Sequence, residues 1–378
     1  LGIHKRRSCH KINIEQLINA VLVDYCLYIN PETLKICRPE DLIKWIKFQR
    51  DQIKKLPNNS VAIGFTPWKA NQLRRFIPNV RFINGVNKKN TKEKKLLIWG
   101  KRKNKILQFS NNSIIRVEDG FIRSVGLGAN LIEASSLIFD KRGIYYDSSK
   151  YSDLEDILNH SNLSIKDEIR TQKLLEEIIK LELTKYNLNG KEWTKPENSK
   201  GKEIILVLGQ VENDASIRLG IPKESNIRSN YELVKITRRQ YPNAWIIYKP
   251  HPDVCSKLRS AGKNESRVKD FSDEITRDIN IENLYKKIDR LSVLTSLGGF
   301  EGLIRGIPVT TWGIPFYAGW GLTDDKLKNH PWITSKRIKK LNLLELIHGC
   351  LIAYPMYSSN KTRKLCTPEE ALKEIHYL

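Results

Sequence analysis

"RLSVLTSLGGFEGLIRGIPVTTWG", residues 290–313, is the stretch on which the fold turns. An apolar run ends at Thr295-Ser296, glycines follow, a helical stretch starts near Phe300, and "PVTTWG" resumes an apolar strand. Strand, glycine turn, helix and strand form the unit of an open parallel sheet. Upstream, "IILVLG" (204–209), a helix around "YELVKITRRQ" (231–240), "AWIIYKP" (244–250) and the helix "IENLYKKI" (281–288) repeat that alternation. Earlier still, "VAIGF", "LLIWG", "SIIRV" and "SLIFD" read as buried strands, and "WKANQLRRFI" (68–77) as a helix between two of them. A helical stretch opened by a Ser-Asp cap signal covers 151–185, and the polar run "NGKEWTKPENSKGKE" (189–203) carries the best linker signal. The expected class is α/β, with Rossmann-like domains over 56–190 and 204–345, joined by a linker at 191–203 and facing a central cleft.

An internal repeat lies outside that frame. "INAVLVDYCLYINPETLKICRPEDLIKWI" (18–46) and "IHGCLIAYPMYSSNKTRKLCTPEEALKEI" (347–375) align without a gap, with Tyr25 on Tyr354, Tyr28 on Tyr357, Cys37 on Cys366 and Glu40 on Glu369. A helix-turn-helix duplicated within one domain is one reading. The other makes 1–55 a helical segment resembling the tail of a preceding module, and 346–378 the corresponding tail of this one, a repeat of 17–49. The chain is then expected to be the second unit of a tandem protein, or an excerpt of one.

Composition narrows the partners. Sixty-five Lys and Arg against 42 Asp and Glu give a formal charge of +23, a field that draws nucleic acid, anionic membrane or acidic substrates alike. Part of it sits in the lysine run 87–95, read as a solvated loop, and aromatics do not interleave with it as a single-strand binder requires. No stretch approaches the roughly 20 apolar residues that cross a bilayer, and "LGIHKRRSCHKIN" has no signal-peptide core. Six scattered cysteines without a CxxC pair fit a reducing compartment and speak against structural zinc.

Candidate chemistry collects at strand ends. Ser296, Gly298 and Gly299 offer a phosphate cradle, with Glu301 for ribose hydroxyls; a helix cap with glycines for close packing is the competing reading. In "YKPHPDV" (248–254), two prolines fix the backbone around His251, beside Lys249. "VLGQVENDASI" (207–217) supplies Gln210 and Asp214, the latter either an N-cap or a carboxylate nucleophile. Glu118 and Asp119 close the strand of "IIRVEDGFIRSVGLG" (114–128), and Gly120 is expected to free the backbone to turn there. Two adjacent carboxylates resist joint ionisation, so one can hold a raised pKa suited to acid/base work, unless Arg116 and Arg123 oppose the shift.

"EDGFIRSVGLG", "GQVENDASI", "KPHPD", "GGFEGLIRGIPVTTWGIPFYAGWGLTDD" and the "YPMY" to "LCTPEE" tail, in this order, resemble the KpsC-type family of bacterial β-Kdo glycosyltransferases of capsule polysaccharide synthesis. The resemblance covers nearly the whole chain and implies tandem modules of GT-B architecture, with an acceptor domain first and a CMP-sugar-binding domain second. It implies transfer of Kdo from CMP-β-Kdo to the oligo-Kdo linker on phosphatidylglycerol, with retention, through a covalent adduct. Asp214 would be the nucleophile, Glu118 or Asp119 the acid/base, and His251 the contact to the departing phosphate. Lys249, Ser296, Gly298, Gly299, Glu301 and Gln210 would bind the donor, and Arg123, Arg218 or Lys249 the Kdo carboxylate. No metal or other cofactor is implied. The expected setting is cytoplasmic and peripheral to the anionic inner membrane, among other capsule biosynthesis proteins and away from nucleic acid. The tail departs from the family where it reads "YPMYSSNKT". Rival readings are an inverting, sialyltransferase-like CMP-sugar transferase, a basic nucleic-acid or membrane-binding module, and a silent module that positions its partner.

Overall fold

The structure is a computed structural model that describes residues 11–83, 95–100 and 113–377. Apart from Lys95, the lysine run 87–95 lies outside the described residues. The strands are β1 (Tyr28–Ile29), β2 (Ile36–Cys37), β3 (Ser60–Ile63), β4 (Arg81–Ile83), β5 (Lys95–Trp99), β6 (Ile114–Asp119), β7 (Ser136–Asp140), β8 (Ile204–Leu208), β9 (Trp245–Lys249), β10 (Glu274–Ile275), β11 (Arg290–Val293), β12 (Val309–Thr311), β13 (Asp324–Asp325), β14 (Pro355–Ser358) and β15 (Leu365–Cys366).

Two sheets result. The second is six-stranded, ordered β10-β9-β8-β11-β12-β13 and parallel throughout. Its central strand β8, "IILVL", is buried at all five positions, as a strand covered on both faces must be. Chain order reverses between β8 and β11, so the loops after these strands diverge and leave a crevice at their carboxyl ends. The stretch 290–313 therefore does what its pattern requires: β11, the helix Leu297–Leu303 and β12 form a parallel unit.

The first sheet is seven-stranded, ordered β15-β14-β7-β6-β5-β3-β4. Strands β4, β3, β5 and β6 are parallel, whereas β7, β14 and β15 run antiparallel to their neighbours. The tail is accordingly more than the helical appendage expected of 346–378, since its hairpin completes a sheet begun at β3, about 295 residues earlier. The helix Ile165–Lys180 starts on the capping box Ser164/Asp167 and buries Thr171, Leu174, Leu175 and Ile178, an i, i+3, i+4, i+7 stripe.

The segment 191–203 is anchored rather than loose. Trp193 is 2% exposed, its indole donates to Glu274 and its backbone N–H to Asn283. One apolar cluster spans both sheets, and within it Phe121 stacks on Phe316 with centroids 4.4 Å apart. Arg337, fully buried, donates to Glu155, Pro315 O and Ala318 O and fixes the loop carrying Phe316.

Candidate active site

The carboxyl ends of both sheets line one cleft of ≈ 1030 Å³. From the first sheet it receives Lys69, Trp99, Glu118 and Tyr146; from the second Asp214, His251, Ser296 and Glu301; between them lies the segment from Thr184 to Lys191. That volume reaches the upper end for small-molecule sites. Among the described residues no cluster of three or more His, Cys, Asp or Glu is placed to hold a metal ion.

The paired acids at the end of β6 separate in role. Asp119 accepts from Arg123 Nε at 2.8 Å and from Gln72 Nε2 at 3.2 Å, so its charge is matched. Glu118 accepts from the Tyr146 hydroxyl at 3.3 Å and the Asp119 backbone N–H at 3.2 Å. Burial raises its pKa to about 7, the charge of Asp119 adds to the rise, and Lys69 and Lys185 oppose it. Of the arginines expected to weigh against that shift, Arg123 is spent on Asp119 and Arg116 donates to Gly100 O at 2.7 Å. Gly120 is required for space rather than for turning: a Cβ there would lie 2.1 Å from Ser136 Oγ, and its φ is not positive.

Asp214 caps the helix Ala215–Gly220, accepting from Ala215 N at 2.8 Å, and its side chain lines the cleft as well. Its charge acts on Tyr146, which also feels Glu118, and on His251. Asp214, Tyr146, Glu118 and His251 thus share one electrostatic neighbourhood. His251 lies between Pro250 and Pro252, and its Nδ1 accepts from Asp253 N at 3.1 Å. That bond assigns the ring proton to Nε2. Burial holds the His251 pKa below its usual value, with Lys185 acting in the same sense, so the ring is a neutral donor.

The remaining expected residues divide. Ser296 and Gly298 line the cleft. Gly299 does not, because its α-carbon abuts Tyr317, whose Oη would sit 2.1 Å from a Cβ; close packing is its role. Gln210 borders the cleft, but its amide is used on Thr295, donating to Oγ1 at 3.1 Å and accepting from N at 2.9 Å. Glu301 accepts from Tyr285 Oη at 2.9 Å and Lys185 N at 2.7 Å. Lys249 donates to Ile279 O at 2.6 Å, and burial lowers its pKa. Of the candidates for a sugar carboxylate, Arg123 lines the cleft but is 1% exposed and donates to Asp119 and Ser124, whereas Arg218 is exposed on the short helix, outside the cleft lining. Other cations that line it include Lys69, Lys185, Arg259 and Arg277. Sequence reasoning passed over these and over Tyr146, since none belongs to a strand-end motif.

Residues 96–190 and 160–357 match the family described as capsule polysaccharide biosynthesis protein. The chain belongs to that family. Within the capsule polysaccharide biosynthesis family it is 36% identical over 370 residues to the capsule polysaccharide modification protein LipA of Neisseria meningitidis serogroup A, covering 95% of this chain and 51% of LipA. It therefore spans about half the length of that relative. Similarity extends to the lipopolysaccharide-processing protein LpsZ of Rhizobium meliloti, 34% identical, covering 83% of this chain and 73% of LpsZ. Among solved structures, the β-Kdo 2,7 transferase of Thermosulfurimonas dismutans KpsC is 35% identical with a TM-score of 0.68. The β-Kdo 2,4 transferase of the same KpsC is 26% identical with a TM-score of 0.73. Each match covers 85% of this chain and 99% of the solved one. The KpsC-type resemblance read from the motifs is thereby borne out.

Proposed function

We propose that this capsule biosynthesis protein is a retaining β-Kdo transferase of GT-B type, moving Kdo from CMP-β-Kdo to the oligo-Kdo linker on phosphatidylglycerol without a metal or other cofactor. The observation that carries the reading is that Asp214, after β8, and a protonatable Glu118, at the end of β6 and bonded to Tyr146, line the same cleft. In the first step an Asp214 oxygen attacks the anomeric carbon of Kdo and the bond to CMP breaks. His251 Nε2–H donates to the departing phosphate, a charge-stabilising role that a neutral ring can fill. In the second step Glu118, ionised, takes the proton of the acceptor hydroxyl, whose oxygen attacks the same carbon and frees Asp214. Two displacements preserve the anomeric configuration.

Lys185 and Arg277 supply the positive field for a donor that carries a phosphate and a carboxylate. The higher identity to the 2,7 than to the 2,4 transferase, 35% against 26%, favours the 2→7 linkage. The basic excess suits an anionic inner-membrane surface on the cytoplasmic side, and among the described residues no helix is long and apolar enough to cross a membrane.

Intact-protein mass spectrometry of wild type and Asp214→Ala, incubated with CMP-Kdo generated in place, tests the route. A gain of one Kdo on wild type alone supports it. Product without adduct on either protein overturns the double displacement and returns the chemistry to Glu118 as the base of an inverting transferase. Tight, salt-steep DNA binding with no thermal shift from CMP overturns the transferase reading itself.

A further inference from the structure

Residues 13–55 rebuild, element for element, the unit with which the described chain ends. Both units open on an asparagine capping box, Asn13 with Gln16 and Asn342 with Glu345, and pass into a π-helical turn, Asn19–Asp24 and His348–Ala353. Each then forms a hairpin and a helix begun by proline, Pro39 and Pro368. The registers correspond, Tyr28 facing Cys37 as Tyr357 faces Cys366, and Leu34 and Arg363 take the same positive φ of 55° and 57°. The repeat thus begins at Asn13 and Asn342, five residues before the aligned stretch that starts at Ile18 and Ile347.

What differs is the surroundings. In the closing unit Ile347, Leu351, Leu372 and Ile375 are at most 1% exposed; their counterparts Ile18, Leu22, Ile43 and Ile46 are 48, 48, 64 and 52% exposed. Tyr354 and Met356 are each 7% exposed, against 86% for Tyr25 and 82% for Leu27. A contiguous apolar face of this kind marks an interaction surface. The closing unit shows what covers it: Pro355, Met356 and Tyr357 pair with Ile138, Leu137 and Ser136 of β7. Two polar contacts fix the fit, the Tyr354 hydroxyl donating to Asp140 at 2.7 Å and Arg170 clamping Glu369 at 2.6 and 3.0 Å. Residues 13–55 keep both handles, as Tyr25 and Glu40.

We propose that residues 13–55 complete the first sheet of another module of this same fold. Residues 26–28 would pair antiparallel with its β7-type edge strand, the Tyr25 hydroxyl would donate to an aspartate in the place of Asp140, and Glu40 would pair with an arginine in the place of Arg170. A second copy of this chain does not fit, because β14 already fills its β7 edge. Room for such a module exists in the family: the alignment with LipA takes up 51% of that protein, and two different modules of one KpsC resemble this chain. The other side of the helix Pro39–Lys55 is spoken for, with Phe48 packed on the cluster containing Met356 and Leu365, and Gln49 Nε2 donating to Leu365 O. One helix then ties two sheets together. The inference is independent of the chemistry proposed above.

Hydrogen exchange on the natural gene product and on the 378-residue chain tests this. The amides of residues 26–29 are expected to exchange about a hundredfold more slowly in the gene product. In that product Leu27→Lys is expected to lower the melting temperature of the other module and leave that of this one in place. Fast exchange in both proteins, a gene product without a module bearing a β7-type strand, or self-association of the 378-residue chain that protects 26–29 would overturn the proposal.

Discussion

Replacing Glu118 by Gln keeps the shape of the side chain and removes its titration. Folded Glu118 holds its proton up to about 7, against 4.5 for the ordinary carboxyl. Between those values the folded state binds more protons than the unfolded one, so stability falls as pH rises and levels off above about 7. The shift corresponds to about 3 kcal/mol as an upper bound, because the side chain keeps some exposure to solvent. Urea unfolding of both proteins across this range is expected to show Glu118→Gln gaining on wild type, with little difference below pH 4.5 and up to about 3 kcal/mol at pH 8. Parallel stability curves from pH 5 to 8 would refute the raised pKa. The same group acts as a base only when ionised, so wild-type transfer is expected to climb with an apparent pKa of about 7. Glu118→Gln would lose that limb together with about 10²–10⁴ in rate.

Other substitutions separate chemistry from scaffold. His251→Ala removes the Nε2–H donor and is expected to lower kcat about 10²–10³-fold with little change in the melting temperature; an unchanged kcat would release His251 from the mechanism. Arg123→Met strands Asp119 beside a 1% exposed site and is expected to cost about 3–5 kcal/mol by calorimetry, most of it recovered by also changing Asp119→Leu. Gly120→Ala sets a Cβ 2.1 Å from Ser136 Oγ and is expected to cost about 1–3 kcal/mol, relieved by Ser136→Gly. Full stability in the single variant would show that β6 and β7 can part there.

Strands built as continuous apolar runs, β8 above all, were legible because burial on both faces leaves no polar alternation. The three-residue β4 and the two-residue β10 and β13 were not, since so few residues hold no period. Motifs at strand ends supply much of the cleft lining, because the carboxyl edge of a parallel sheet is where loops diverge. They could not choose between Glu118 and Asp119. That choice rests on Arg123 turning back to Asp119 and on Tyr146, a residue 28 positions on, meeting Glu118. The glycines after Ser296 look alike in sequence, yet Tyr317 makes Gly299 a packing residue while Gly298 faces the cleft.

The pairing of Met356 with Leu137 also governs the order of events in synthesis. When β7 leaves the ribosome its outer edge has no neighbour, and about 215 residues, on the order of 10–40 s of translation, pass before β14 follows. Open strand edges recruit whatever fits them. In the 378-residue chain, where no other module holds it, the hairpin of residues 28–37 has the same register as the proper occupant and competes for the nascent edge. A variant such as Leu27→Lys, which blunts that competition, is expected to refold faster than wild type.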